Sequence, residues 1–137
     1  RWIDQGAVEA MPLFRVSTRQ QSGLLEDKLR QHVADKTNWR KMLTNTVDDE
    51  NLIAWKNKLK QYIPAEAQPY FLENNAETHL QFPIENYPEK VKSLNLGKTP
   101  NYNGKLIGIK GQYLIFEDST VFNVRANEGN YVSLRIN

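Results

Sequence analysis

The chain has 137 residues, of which 25% are charged and 39% hydrophobic, and this composition is typical of a globular protein. It contains no cysteine, which excludes disulfides, a cysteine zinc site and a cysteine nucleophile within these residues. No apolar run approaches the ~20 residues of a membrane span, and no signal peptide is recognised, so we expect no membrane partner and a cytoplasmic location. Because the first residue is not methionine, we expect a fragment of a longer protein.

The net charge of +2 hides an uneven distribution along the chain. Residues 1–46 carry a net charge of +3, residues 47–89 carry −5, and residues 90–137 carry +4. Lysine and arginine in the basic ends could contact phosphates, since each such contact releases condensed counterions. Excesses of three or four charges are also common on solvated faces, so charge alone does not decide between these two interpretations.

A helix is predicted after residue 18. Thr18 and Gln21 fit a capping box, in which each side chain bonds to the backbone amide of the other residue. The apolar residues Leu25 and Leu29 lie four positions apart on one face, and the pattern predicts a helix that runs to about Asp35.

Two more helices are predicted, at residues 38–43 and 46–63. In the longer one, acidic residues follow the capping Thr46, as the helix dipole favours. Trp55, Leu59 and Tyr62 share one stripe of this helix, so we expect them to belong to the core.

Alternating apolar residues predict five strands, at residues 11–17, 78–84, 104–116, 120–125 and 131–136. The last three are expected to form an antiparallel meander, in which Gly108 and Gly111 indicate a bulge that curls the sheet toward a small barrel. The predicted fold class is α+β, with a helical first half packed on one or two strands. We expect a division into residues 1–75 and 76–137, either as two domains or as one continuous domain.

Catalytic signals are sparse. His32 and His79 lie outside any metal-ligand spacing, and no glycine-rich phosphate loop is present, so no nucleotide cofactor is expected. Glu26 lies between the apolar stripe and the polar face of its helix, where it could bind a hard cation such as Mg²⁺. An ion pair with Arg30, four residues along the helix, is the alternative.

Basic and aromatic side chains mix in two places, a pattern used for binding single-stranded nucleic acid. The first lies at the junction of two predicted helices, and the second lies on neighbouring strands of the meander. The candidate nucleic-acid-binding residues are Lys36, Asn38, Trp39, Arg40, Lys41, Lys105, Lys110, Tyr113 and Arg125. The alternative is that Trp39 anchors the core and that the basic residues are its solvated neighbours.

Residues 1–7, 23–43 and 104–116 together resemble a bacterial family of uncharacterised proteins that is catalogued as a domain of unknown function. The most specific part is K-G-Q-Y-L-I-F at residues 110–116 with N-V-R at residues 123–125. The resemblance covers nearly all of the chain. It implies that the chain is the C-terminal portion of a longer protein whose first part is cysteine-rich and of the zinc-binding type.

The chain also resembles, more distantly, the GIY-YIG nuclease superfamily. This resemblance implies that Arg1 is the catalytic arginine, that residues 11–17 form the following strand, and that Glu26 is the metal-binding glutamate, with Mg²⁺ as its metal. The hairpin that carries the two tyrosine motifs would lie before Arg1. Without that hairpin the attacking water is not positioned, so this fragment is expected to be inactive as a nuclease.

The leading functional hypothesis is nucleic-acid association by an incomplete GIY-YIG-like core with an added β module. The alternative is a protein-interaction or scaffolding module without catalytic activity, whose acidic middle and exposed sheet edge bind another chain. A third hypothesis is a hydrolase that uses Mg²⁺ at Glu26. The expected partners are therefore single-stranded or structured nucleic acid, or another protein, and no cofactor is expected in the fragment itself.

Overall fold

The computed structural model describes residues 1–34 and 36–136. Its elements follow in chain order: β1 (Glu9–Ala10), α1 (Arg19–Arg30), α2 (Trp39–Leu43), α3 (Leu52–Lys60), a 3₁₀ helix (Ala65–Tyr70), β2 (Thr78–His79), β3 (Lys92–Ser93), β4 (Leu106–Lys110), β5 (Tyr113–Phe116), β6 (Thr120–Asn123) and a second 3₁₀ helix (Arg125–Asn127). The fold class is α+β, as predicted.

The chain forms two compact units, each assembled from separate segments. Unit 1 contains Arg1–Gly6, Trp39–Thr46 and the chain from Phe82 onward, and unit 2 contains Ala7–Asn38 and Val47–Gln81. α2 belongs to unit 1 because it packs on the C-terminal sheet. The division into domains at residues 75–76 stays a prediction.

Unit 1 is built on a four-stranded sheet with the strand order β3-β6-β5-β4. The β4–β5 and β5–β6 pairs are antiparallel, whereas β3 runs parallel to β6. Ile115 and Val121 are fully buried and form one core with Met42 and Leu43 of α2. The sheet thus provides the surface that holds α2.

The predicted meander is present, but its strands divide differently. Residues 104–116 form a hairpin, because the chain turns at Gly111, whose φ is +56°. The predicted bulge is confirmed as a register shift between Leu106 and Gly108. The sheet ends in β3 on one side and β4 on the other, so the curl does not produce a closed barrel from the described residues.

The predicted strand at residues 131–136 is wrong. These residues have no strand pairing, and Tyr131, Leu134 and Ile136 are exposed. Both sides of β6 are already occupied, by β3 and by β5. The chain leaves the sheet through the second 3₁₀ helix, where the side-chain oxygen of Asn123 accepts from the amide of Ala126.

In unit 2, α1 begins as predicted. The hydroxyl of Thr18 accepts from the amide of Gln21 at 3.2 Å, and the Gln21 side chain accepts from the amide of Thr18 at 3.2 Å. The helix ends at Arg30, so its predicted extension over residues 31–34 is wrong, and the predicted end at Asp35 lies outside the described residues.

α3 begins at Leu52 rather than after Thr46. Asn51 caps it, because its side-chain oxygen accepts from the amide of Ala54 at 2.9 Å. The acidic residues 48–50 therefore precede the helix and do not form its first turn.

The buried face of α3 is rotated from the predicted stripe. Leu59 is buried as predicted, but Trp55 is half-buried and Tyr62 is exposed. Lys56 is buried instead: its ammonium group donates to the carbonyl of Asn74 and lies 5.3 Å from the ring centroid of Phe71. A lysine occupies this core position because its stem is apolar and its charge has these partners.

The strands predicted in unit 2 are shorter than expected. β1 and β2 pair only through Glu9 with His79 and Ala10 with Thr78. Residues 11–17 contribute an isolated bridge between Phe14 and Phe71 rather than a strand.

The turn between β5 and β6 in unit 1 is organised by Asp118. Its carboxylate accepts from the amide of Thr120 at 3.0 Å and from the hydroxyl of Tyr102 at 2.8 Å, and the ammonium of Lys92 lies 3.0 Å away. These donors, the Thr120 amide first, hold the pKa of Asp118 well below its ordinary value of 3.8.

We predict that Asp118→Asn lowers the free energy of unfolding at pH 7. Because the pKa of Asp118 is depressed in the folded state, the stabilisation is fully present above pH 3.8 and is lost as the pH falls below it. Urea unfolding between pH 7 and pH 2.5 should show the two stability curves converging at low pH. Glu117→Gln is the control for loss of a neighbouring exposed charge. If the free energies of unfolding of Asp118→Asn and of the wild type differ by the same amount at every pH, the role assigned to Asp118 is wrong.

Candidate functional site

The turn between β4 and β5 holds two other segments of unit 1 through its backbone. The amide of Gln112 donates to the carbonyl of Asp4 at 3.0 Å, and the carbonyl of Gln112 accepts from the amide of Val124 at 2.9 Å. A Cβ at Gly111 would overlap the carbonyl of Asp4. The turn therefore needs glycine both for its positive φ and for this close approach.

α2 is fixed to the same turn by ring packing. The ring of Trp39 stacks on that of Tyr113 with centroids 5.9 Å apart and an interplanar angle of 11°. The guanidinium carbon of Arg40 lies 4.3 Å from the centroid of the Trp39 ring. This cation–π contact holds the charge of Arg40 next to the turn.

Three basic segments therefore converge on Gly111–Tyr113. Each of these segments is hydrogen-bonded to the turn or stacked on it. We call their basic residues and tryptophans the turn end, and its members are Arg1, Trp2, Trp39, Arg40, Lys41 and Arg125. All four cations are exposed, and the exposed acidic residues of these segments are Asp4 and Glu128. The turn end thus has an excess of positive charge.

Lys105 lies away from the turn end. It precedes β4, five residues from Lys110, which corresponds to about 17 Å along an extended strand. Its ammonium is 3.3 Å from a carboxylate oxygen of Glu117 and 3.8 Å from one of Glu85. The basic and aromatic residues predicted to cluster on the meander are therefore divided between the two ends of the β4–β5 hairpin.

Lys110 and Tyr113 are buried, with exposures of 1% and 8%, so neither reaches a surface ligand and we remove both from the candidate interface. The ammonium of Lys110 donates to the carbonyl of Met42 at 3.0 Å and to the hydroxyl of Tyr87 at 3.4 Å. It ties α2 to β4. Burial lowers the pKa of Lys110 below its ordinary value of 10.5.

The remaining candidate residues lie in unit 2. Glu26 is exposed on α1, and Lys36 and Asn38 are exposed in the segment between α1 and α2. The roles that the nuclease resemblance implies for Arg1 and Glu26 stay predictions. In the part of the chain that the structure describes, no group of three or more histidine, aspartate or glutamate side chains could hold a metal ion.

A family model described as "Protein of unknown function (DUF2797)" matches residues 1–132. The chain belongs to this family. The predicted membership of a family of unknown function is confirmed. No curated protein and no solved structure matches the chain. Within the described ranges, no helix of this DUF2797 chain combines the length and apolarity that crossing a membrane requires.

The turn end contains one aromatic residue that the sequence analysis did not single out. Trp2 is 41% exposed, whereas Trp39 is packed against the core of unit 1. The alternative interpretation of Trp39 as a core anchor therefore describes its position in this DUF2797 chain. The signal for Trp2 was present in the sequence, since it is a tryptophan next to an arginine.

We predict that Lys110 makes the stability of the DUF2797 chain increase with pH toward 10.5. The folded state binds fewer protons at this site than the unfolded state, because burial lowers its pKa, so raising the pH favours folding. Urea unfolding at pH 7 and pH 9.5 should show that the free energy of unfolding increases more between these pH values in the wild type than in Lys110→Met. Lys105→Met removes an exposed lysine charge and serves as the control. Equal gains in the wild type and in Lys110→Met would contradict a desolvated ammonium at this position.

Proposed function

We propose that the chain binds nucleic acid, single-stranded or structured, through the turn end of unit 1. The observation that carries the proposal is that the segments carrying the exposed residues Arg1, Arg40, Lys41 and Arg125 meet at one turn, beside the exposed Trp2. A positive patch next to an aromatic ring is the combination that such interfaces use. The proposal includes a cytoplasmic location, where nucleic acid is accessible.

The chemistry of the interface would be neutralisation of phosphates. Arginine suits this role, because its planar guanidinium can donate two parallel hydrogen bonds to a phosphate. Arg40 loses less side-chain freedom on binding than a solvated arginine, since it is already held over Trp39. With three or four phosphate contacts the affinity would be non-specific, roughly 10⁻⁴–10⁻⁶ M at physiological salt.

The distant resemblance to GIY-YIG nucleases is a second support for nucleic acid as the ligand. The resemblance implies that Arg1 is the catalytic arginine of a nuclease, and Arg1 belongs to the turn end. The magnesium role of Glu26 stays a prediction. A Mg²⁺ ion can be held by one carboxylate together with substrate phosphates, and Glu26 is exposed on α1. We derive no catalytic step from Glu26.

We predict that the double variant Arg40→Gln/Lys41→Gln lowers the salt dependence of binding. Each phosphate contact contributes close to one unit to the slope of log K against log salt concentration, so the slope should decrease by about two. Fluorescence anisotropy of a labelled oligonucleotide across a salt series measures this slope.

Lys90→Gln/Lys105→Gln is the matched control for that experiment. Both lysines are exposed in unit 1 and lie toward the end of the sheet opposite the turn, since Lys90 leads into β3 and Lys105 leads into β4. This variant removes two positive charges and should leave the slope near the wild-type value. If the wild type does not bind at low salt, or if its binding ignores salt, the proposed function is wrong.

A second candidate function is protein interaction through strand addition. Residues 131–136 alternate apolar and polar side chains, all of them exposed, and β3 forms an edge of the sheet. An exposed edge can accept an extended segment of another chain through main-chain hydrogen bonds. A second copy of this chain carries both the segment and the edge.

We predict that, if this candidate is right, the chain dimerises and that removal of residues 131–137 makes it monomeric. Light scattering after size-exclusion chromatography, at several protein concentrations, measures the mass. A change of Val132 and Leu134 to serine is the milder variant, and it should weaken dimerisation because it removes the alternating apolar face. A monomeric full chain at all concentrations would exclude self-association by this route.

A further inference from the structure

Two tryptophans lie at the turn end, and their surroundings differ. Trp39 packs against the buried cluster of Met42, Leu43 and Tyr113. Its ring stacks on Tyr113, and the guanidinium of Arg40 lies over it. Both contacts occupy surface of the Trp39 ring that a stacked base would need.

Trp2 has the opposite environment. It is 41% exposed, its neighbour Ile3 is 46% exposed, and among the described residues no aromatic ring or cation lies over the Trp2 ring. Tryptophan is usually well buried in folded proteins. A large exposed aromatic surface next to cations is therefore a feature that a ligand would explain.

The backbone that carries Trp2 is held in place on both sides. The amide of Gln5 donates to the carbonyl of Arg1 at 3.2 Å, and the amide of Gly6 donates to the carbonyl of Ile3 at 2.8 Å. The carbonyl of Asp4 accepts from Gln112 in the turn. Trp2 is thus presented on a fixed segment, which lowers the entropy that a ligand would have to remove on binding.

Resting on the proposed function, we infer that the ligand is single-stranded nucleic acid and that one of its bases stacks on Trp2 rather than on Trp39. The cations of the turn end would neutralise the phosphates on either side of that base. In a duplex the base faces are covered by their neighbours, so an exposed indole contributes to binding only where a base is unpaired. Stacking is tolerant of base identity, so the interaction would be sequence-independent.

The test uses Trp2→Leu, which keeps an apolar side chain and removes the aromatic face, and Trp2→Phe, which keeps a smaller aromatic face. The probe is a labelled oligothymidylate, compared with a labelled duplex of equal length. For Trp2→Leu we expect the Kd for the single strand to rise roughly 5- to 150-fold, as loss of one stacked base implies. In the same variant the Kd for the duplex should stay within about twofold of the wild-type value, and the salt slope should stay within about half a unit of the wild-type slope. Trp2→Phe should recover most of the lost affinity for the single strand.

A fluorescence measurement provides a second readout. In Trp39→Phe/Trp55→Phe, Trp2 is the remaining tryptophan, and stacking of a base should quench its emission when oligothymidylate is added. Urea unfolding shows whether each variant is folded. If this double variant is unfolded, the affinity series on the single Trp2 variants decides alone, because Trp2 is exposed outside the core.

The outcomes separate this inference from the proposed function. If Trp2→Leu binds the single strand as tightly as the wild type, with the same salt slope, the assignment to Trp2 is wrong and the proposed function stands. If Trp2→Leu weakens single-strand and duplex binding equally, Trp2 acts through the structure of the turn end and the stacking inference is wrong. If the wild type binds neither probe at low salt, both are wrong.

Discussion

In unit 1 the carbonyl oxygen of Asp4 lies too close to Gly111 to leave room for a Cβ, and the amide of Gln112 donates to this oxygen. The turn between β4 and β5 can accept this approach because its glycine has no side chain and adopts a φ of +56°. The same turn bonds to the end of β6 and starts the strand on which Trp39 stacks. The place of Arg1 and Trp2 in the turn end depends on this one close contact between two backbones.

Buried lysines explain why the charge pattern of the sequence overstates the basic surface. Lys110 in unit 1 and Lys56 in unit 2 each donate to a main-chain carbonyl and lie near an aromatic ring, Tyr87 or Phe71. In both cases the apolar stem fills core space while the ammonium keeps polar partners. Such lysines belong to the architecture, and they add no exposed charge to the surface.

The elements that follow from local chemistry could be predicted, and those that depend on long-range partners could not. The capping box was predictable because Thr18 and Gln21 lie three residues apart. The bulge was predictable because Gly108 has no side chain. The burial of Lys56 depends on the carbonyl of Asn74, far along the chain. The strand predicted at residues 131–136 would pair with β6 in a meander, but β6 already lies between β3 and β5. For the site, Arg40, Lys41 and Arg125 were predictable as basic residues beside aromatics, whereas the convergence of Trp2 with them depends on the turn at Gly111.

The central claim is that Gly111 holds the N-terminal segment at the turn, and amide hydrogen exchange of Gln112 tests it most directly. Gly111→Ala places a Cβ against the carbonyl of Asp4, whereas Gly129→Ala places one in open space at a φ of +86°, so the second variant puts alanine at a positive φ in unit 1 without a steric overlap. We predict that the Gln112 amide exchanges faster in Gly111→Ala than in Gly129→Ala, while the amides of β5 and β6 stay protected in both. Equal protection of the Gln112 amide in the two variants would contradict the claim.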